Sequence, residues 1–166
     1  MDNSYRLIQE QYRQSKGDLT LLWQTILAAA VEIGLDQALG CLEQCVIDKR
    51  LAWLEKNLAT FERTGEPVMD GYRLFYESYL GISAPVDGQI VVRTDRRLVS
   101  RWWNPCPTLD ACRKLGLDTR QICRKVYHRP VQLFLSQLDP RLKFERNYQA
   151  VRPYATYCEE IITLAE

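Results

Sequence analysis

The chain has 166 residues, 46% of them hydrophobic, which is enough for one compact domain with its own core. Its formal net charge of +1 does not favour a nucleic-acid-binding protein. The charge is uneven, because residues 1–80 carry a net −4 and residues 81–166 a net +5. An anionic ligand is therefore expected in the second half of the chain.

The N-terminal residues, MDNSYRLIQEQ, do not combine a basic stretch with an apolar run, so no secretory signal is predicted. The most apolar window, residues 19–35, contains Gln24, Thr25 and Glu32 and is too polar for a membrane span. We therefore expect a cytoplasmic protein with no membrane partner. Thiols stay reduced in that compartment, so the six cysteines indicate packing, metal binding or catalysis before disulfides.

Helical spacing of apolar residues dominates the first half of the chain. It predicts helices over residues 19–33, 36–61 and 68–80, followed by a linker over residues 81–88. Asp18 is the expected N-cap of the first helix, and Gly34 its stop. Residues 1–82 are thus interpreted as the helical half of a single domain that spans residues 1–166.

The second half mixes strand and helix patterns. Strands are predicted over residues 89–93, 98–103, 142–148 and 154–163, and helices over residues 108–115 and 118–138. Thr108 is the expected cap of the shorter helix, and Pro130 is expected to kink or restart the longer one. The predicted fold class is α+β, with the helical N-terminal half packed against a four-stranded antiparallel sheet of two hairpins joined by helices. Residues 89–166 form this α+β half and carry the candidate site.

Cys106 is the most unusual cysteine of the sequence, because it lies in Pro-Cys-Pro where a strand ends and a helix begins. Two prolines fix its backbone, which is atypical of a packing residue. A helix N-terminus and a nearby Arg101 or Arg113 are expected to lower the pKa of its thiol and make it nucleophilic. Cys106 is therefore the candidate nucleophile.

The remaining candidates follow further along the chain. Cys123 and Cys158 lie on a later helix and on the last strand, and His128 is the only histidine. If these three met Cys106 they would form a Cys₃His zinc site, but no CxxC pair supports it. We expect no metal or other cofactor, with zinc left open as an alternative.

Acid–base and anchoring roles have several candidates. His128 and Glu145 are candidate proton carriers, the latter if it faces Glu159 or Glu160 across the last two strands. The favoured alternative is that these carboxylates form ion pairs across the sheet, with Lys143, Arg146 and Arg152. Arg101 is a candidate anchor for a carboxylate, since the planar guanidinium matches that group.

Part of the second half resembles a known family. The resemblance is carried by Cys106-Pro107, Leu115-Gly116-Leu117, Cys123, the run from Pro140 to Arg146 (PRLKFER) and Tyr157-Cys158-Glu159. Over about the last 75 residues the chain resembles the L-2-amino-thiazoline-4-carboxylic acid hydrolase family and, more distantly, 4-vinyl-reductase-type small-molecule-binding domains. A Gly-Asp pair, common before the last cysteine of that family, is replaced here by Pro153-Tyr154-Ala155-Thr156.

The resemblance implies hydrolysis of a C–N bond in a small cyclic amidine carboxylate. It makes Cys106, Cys123 and Cys158 the candidate site, with Cys106 attacking the amidine carbon, Arg101 holding the carboxylate, and Glu145 or His128 carrying the proton. Trp103 and Tyr127 complete the set of predicted ligand-binding residues.

The alternative is a non-catalytic binding or sensor domain with an apolar pocket. The lining of this pocket is expected to come from aromatic side chains, namely Tyr72, Tyr76, Trp102, Trp103 and Tyr148. A small-molecule ligand is expected in either case, nucleic acid is the least favoured ligand class, and a homodimer is left open. A carboxylate and a basic group that converge on Cys106 in an enclosed cavity would favour the hydrolase.

Overall fold

The computed structural model describes residues 3–166, which form helices and four strands. The helices are α1 (Asn3–Gln14), α2 (Thr20–Ile33), α3 (Leu35–Asn57), α4 (Pro67–Tyr72), α5 (Pro107–Leu115), α6 (Thr119–Ile122) and α7 (His128–Leu138). Two π-helical segments, Arg73–Leu80 and Cys123–Tyr127, continue α4 and connect α6 to α7. The strands are β1 (Gly88–Arg93), β2 (Arg97–Trp102), β3 (Leu142–Asn147) and β4 (Cys158–Leu164). The α+β prediction is therefore confirmed.

The three helices predicted in the first half are present, and α1 precedes them. Leu19, not Asp18, occupies the N-cap position of α2, but Asp18 accepts the Thr20 backbone N–H at 2.8 Å and so satisfies a donor that the first turn of the helix leaves free. Gly34 ends α2 with a φ of +84°, a conformation that residues with a Cβ rarely adopt. Among residues 3–166, no helix is long and apolar enough to cross a membrane.

The four strands form one antiparallel sheet in the order β1-β2-β4-β3. The two hairpins expected from the sequence are β1–β2 and β3–β4, and they join along β2 and β4. Helices α4 and α7 pack on one face of the sheet. That inner face carries alternate residues of the strands, which are Leu98, Ser100 and Trp102 of β2, Leu142, Phe144 and Arg146 of β3, and Cys158, Glu160 and Ile162 of β4.

Two details of the helices differ from the prediction. Thr108 does not cap α5; Cys106 is the N-cap, and its Sγ accepts the Leu109 backbone N–H. Pro107 occupies the first turn, where a missing N–H costs nothing. Pro130 lies just after the π-helical segment Cys123–Tyr127, so the expected restart takes the form of a change in helix type rather than a break.

The last strand begins later than predicted, at Cys158 rather than at residue 154. The amides of Tyr154 and Ala155 both bond to the Val151 carbonyl and are lost to the sheet, and Pro153 has no amide to donate. Cys158 is consequently the first residue of β4, opposite Trp102, instead of lying near its middle. This shift brings its sulfur to the end of the sheet where Cys106 lies.

Buried apolar side chains form two clusters. One fills the space between the sheet, α4 and α7, and includes Phe75, Trp102 and Phe134. The other packs α1, α2 and α3 against α5 and the second π-helical segment, with Trp23 and Leu42 at its centre. Helix α3 contributes to both, with Val46 in the second cluster and Leu54 in the first.

Candidate functional site

A cavity of about 330 Å³ opens where the C-terminal end of β2 meets the start of α5. Its lining combines sulfur, cationic, anionic and aromatic groups. The lining residues are Tyr76, Leu80, Ile82, Trp102, Asn104, Pro105, Cys106, Pro107, Cys123, Arg146, Arg152, Cys158 and Glu160. We refer to it as the cysteine pocket.

The three cysteines expected to meet do line this one pocket, although they are far apart along the chain. Cys106 lies in the turn that precedes α5. Cys123 is the first residue of a π-helical segment, and Cys158 is the first residue of β4. The sulfurs of Cys106 and Cys158 each accept a backbone N–H at 3.5 Å, from Leu109 and Arg152 respectively. All three thiols are half-buried and none forms a disulfide.

A buried polar network forms one wall of the cysteine pocket. The Glu160 carboxylate accepts the Tyr76 hydroxyl at 2.6 Å and the Arg146 Nε at 2.8 Å, with a second bond from Arg146 Nη2. Burial by itself lowers the pKa of Arg146. The Glu160 carboxylate opposes this effect of burial through its charge and its hydrogen bonds, and the net result is that the pKa of Arg146 is raised. The third guanidinium nitrogen of Arg146, Nη1, is buried and has no hydrogen-bond partner.

Arg152 supplies a second guanidinium to the same pocket. Its Nη1 donates to the Asn104 carbonyl at 2.8 Å, and its backbone carbonyl accepts the Thr119 hydroxyl at 2.8 Å. Its Nε is buried and without a partner. The pocket is therefore lined by two cations and one carboxylate, and each guanidinium keeps one buried N–H donor without a partner.

Aromatic and aliphatic side chains form the rest of the wall. The rings of Tyr76 and Trp102 stack with centroids 4.5 Å apart, and Leu80 and Ile82 extend this surface. The Trp102 indole N–H donates to Ser100 Oγ at 2.9 Å, which fixes the orientation of the ring.

The prediction that Cys106 has a lowered pKa is wrong. Burial is the largest influence and raises the pKa of the Cys106 thiol, although the Leu109 N–H and the Arg152 charge oppose it. Burial also raises the pKa of Cys123, to about 11. Burial thus favours the protonated form of both thiols near neutral pH.

Arg101, Trp103 and Glu145 do not line the cysteine pocket. Strand alternation directs Arg101 and Glu145 to the outer face of the sheet, opposite to Trp102 and Arg146. There Arg101 Nε donates to Glu159 at 2.7 Å, and Glu145 is exposed opposite Ile161 rather than opposite another glutamate. The side chain of Trp103 is 44% exposed.

His128 and Tyr127 are near the pocket but are not part of its lining. His128 packs on the Phe144 ring, and its Nδ1 shares a hydrogen bond of 3.0 Å with the Tyr148 hydroxyl. Burial and the neighbouring Arg146 lower the pKa of His128, so its imidazole is neutral at pH 7. The Tyr127 hydroxyl bonds to Thr108 Oγ1 at 2.9 Å.

Sequence reasoning missed Arg146, Arg152 and Glu160 as site residues. Alternation carried a usable signal for two of them: Phe144 and Ile162 face the core, so residues two positions away, Arg146 and Glu160, share that face. The same rule would have excluded Glu145. Arg152 carries no such signal, because it lies in a loop whose path depends on tertiary contacts.

The described residues, 3–166, contain no group of three or more His, Cys, Asp or Glu side chains arranged to hold a metal ion. The Cys₃His zinc site remains a hypothesis; in the structure the Nδ1 of His128 shares a hydrogen bond with the Tyr148 hydroxyl.

Comparisons with known proteins do not place the chain in a family: no protein-family model matches it, and neither the curated proteins nor the solved structures include a match.

Proposed function

We propose that this protein binds a small planar carboxylate in the cysteine pocket. One observation carries the proposal: Arg146 Nη1 and Arg152 Nε are buried N–H donors without partners, at a cavity of 330 Å³. Buried donors in folded proteins are nearly always satisfied, so unused ones at a cavity favour a ligand that accepts hydrogen bonds.

The charge balance favours an anion. Glu160 compensates one of the two guanidinium charges, so that the three ionisable groups Arg146, Arg152 and Glu160 carry a net +1. Both oxygens of Glu160 are engaged by Tyr76 and Arg146, so the carboxylate is not free to pair with Arg152. A carboxylate is the organic anion whose geometry suits guanidinium donors best.

The shape of the pocket favours a small ring. Tyr76 and Trp102 present a stacked aromatic surface, and the cavity lies at the lower end of the size range of small-molecule sites. A five-membered heterocyclic carboxylate combines a flat face for this surface with an anion for the two arginines. This is also the ligand type that the resemblance to the 2-amino-thiazoline-4-carboxylate hydrolases implies.

Calorimetric titration of the full chain with 2-amino-thiazoline-4-carboxylate tests the proposal. We expect saturable binding, and no binding of the same ring without its carboxylate. Arg152→Gln removes one donor and its charge and is expected to weaken binding about tenfold, which corresponds to about 1.4 kcal/mol. Arg129→Met, at an exposed position of α7, is the matched control and leaves affinity unchanged. Equal affinity for both rings, or no binding of either, contradicts the proposal.

The second candidate function is hydrolysis of the amidine C–N bond of such a ring. It is favoured by the convergence of Cys106, a carboxylate and two arginines in one cavity. The Cys106 sulfur would add to the amidine carbon while its proton passes to the ring nitrogen. The C–N bond then breaks with the nitrogen leaving as an amine, and one water molecule releases the product and restores the thiol.

Arg101 and Glu145 lie on the outer face of the sheet and do not line this cavity, so neither is proposed as carboxylate anchor or proton carrier. Arg152, which lines the cavity, is the proposed carboxylate anchor. Because the pKa of Cys106 is raised, the rate of ring opening is expected to increase with pH through the neutral range.

Cys106→Ser separates binding from hydrolysis. We expect it to retain ligand binding and to lose ring opening, measured by release of the opened product, whereas Arg129→Met, outside the pocket, keeps turnover. Undiminished turnover in Cys106→Ser rules out the covalent route, and absence of turnover in the wild-type chain leaves the binding function alone.

A further inference from the structure

Arg50 is a buried cation that neither candidate function uses. It lies on α3, its side chain is only 7% exposed, and its Nε and Nη1 atoms are buried without hydrogen-bond partners. Within residues 3–166 it forms no ion pair with a carboxylate. This contrasts with Arg146, which is equally buried but bonded to Glu160.

The surroundings of Arg50 are aromatic. Its guanidinium carbon is 5.1 Å from the centroid of the Phe75 ring and 5.8 Å from that of Tyr79. The side chains of Tyr12 and Tyr127 are also within electrostatic range and, like Tyr79, favour the charged form. Cation–π contacts replace only part of the hydration that a buried guanidinium loses, and two of its donors stay unused.

Arg50 also lies at the junction of the two apolar clusters. Phe75 and Tyr79 belong to the cluster beneath the sheet, whereas Tyr12 and Tyr127 pack against the helical cluster. The segments that carry Tyr79 and Tyr127 are both π-helical, a conformation that is frequent at functional sites. Apolar packing therefore surrounds a charge that bonds to the Tyr79 hydroxyl, while its Nε and Nη1 donors have no acceptor.

A surface cavity of about 350 Å³ adjoins this region through Tyr12. Its lining includes Arg13 and Lys49, with Asp48 as the acidic residue among them. Lys49 Nζ lies 5.4 Å from the centroid of the Tyr12 ring. The cavity thus carries more basic than acidic side chains, and Tyr12, which lines it, is within electrostatic range of Arg50.

We infer that Arg50 is the centre of a buried binding site for a small monovalent anion, of which chloride is the probe. A spherical anion accepts hydrogen bonds from N–H and phenol O–H donors without a directional requirement, and it supplies the missing negative charge. The site is separate from the cysteine pocket, whose lining does not include Arg50.

Thermal unfolding of the full chain tests the inference, with sodium chloride or bromide compared with sodium gluconate at equal ionic strength. Gluconate is too bulky to enter a buried site. We expect the unfolding midpoint of the wild-type chain to rise with the logarithm of halide concentration, because a ligand that binds only the folded state stabilises it. Arg50→Met removes this dependence, and Arg129→Met, an exposed arginine of α7, keeps it.

Identical halide responses of the wild-type and Arg50→Met chains would overturn the inference, because general salt effects act on both. If Arg50→Met does not fold, a bromide-soaked crystal of the wild-type chain decides the matter. Anomalous scattering beside Arg50 supports the site. A water molecule in that place, with no anomalous signal, overturns it.

Discussion

Glu160 connects two other polar side chains at the cysteine pocket. It accepts hydrogen bonds from Tyr76 and Arg146, which come from a helical segment and from the neighbouring strand β3. The Arg146 and Glu160 side chains are 10% and 9% exposed, so their attraction is weakly screened by water. The same burial makes either group costly when its partner is removed.

Arg146→Met is therefore expected to destabilise the fold by about 3–5 kcal/mol, because it leaves the Glu160 carboxylate buried without its cation. The double variant Arg146→Met with Glu160→Met is expected to recover most of this loss, although the Tyr76 hydroxyl then lacks its acceptor. Urea unfolding of both variants measures the two free energies.

Arg129→Met is the control for this comparison, because Arg129 pairs with Glu43 at a mostly exposed position and its loss is expected to cost about 1 kcal/mol or less. A double variant less stable than Arg146→Met alone would contradict the account of Glu160 as an uncompensated charge.

At the scale of elements, the hairpin β1–β2 sets the position of the aromatic wall. Gly88 of β1 lies opposite Trp102 of β2, and a Cβ at Gly88 would contact the Arg101 carbonyl oxygen and come within 2.6 Å of the Trp102 ring. Only glycine leaves room for the indole here. The ring then reaches Tyr76 and the cysteine pocket.

Gly88→Ala is accordingly expected to displace Trp102 and to destabilise the fold by about 1–3 kcal/mol, the usual cost of overpacking. Unfolding by urea gives the free energy, and the change in intrinsic tryptophan emission reports on the indole environment.

Gly40→Ala is the matched substitution, since Gly40 lies in α3 with no heavy atom within 4 Å of an added Cβ. It is expected to stabilise the fold by about 0.5–1 kcal/mol, because alanine is the better helix former. A Gly88→Ala chain as stable as the wild type would show that β2 can shift without cost.

The whole molecule buries several thiols in apolar surroundings, outside as well as inside the pocket. Burial raises the pKa of Cys112 to about 12 and that of Cys45 to about 11, from an ordinary value of 9.0. The folded state therefore holds these protons more tightly than the unfolded state. Their contribution to stability is complete below pH 9 and is lost as the pH rises toward 11–12.

We expect the free energy of unfolding to fall between about pH 9 and pH 11, with each buried thiol contributing up to about 1.4 kcal/mol per pH unit. Unfolding at half-unit steps gives this slope. Cys112→Ala removes one titrating thiol and is expected to reduce the slope, whatever its effect on stability at pH 8. A slope unchanged in Cys112→Ala would show that this thiol does not titrate on unfolding.

Much of the architecture was readable from local patterns. Apolar spacing identified α2, α3, α4 and the two hairpins, and glycine and proline located most of their ends. Two local predictions are wrong. Threonine is a common N-cap, so the sequence predicts Thr108 as the cap of α5, but Cys106 holds that position. The strand propensity of residues 154–157 predicts that they belong to β4, which begins at Cys158. In both places backbone amides form hydrogen bonds that apolar spacing does not reveal, to the Cys106 sulfur and to the Val151 carbonyl oxygen.

The sequence by itself determined the order of helices and strands and the prominence of Cys106, because both follow from periodicity and from the restrictions of proline. The grouping of three cysteines into one site came from the resemblance to a known family. Only the tertiary structure decided which charged residues accompany them, Arg146, Arg152 and Glu160 instead of Arg101, Glu145 and His128. The physical reason is that strand register and loop path assign each side chain to a face, and burial then decides whether its charge is paired.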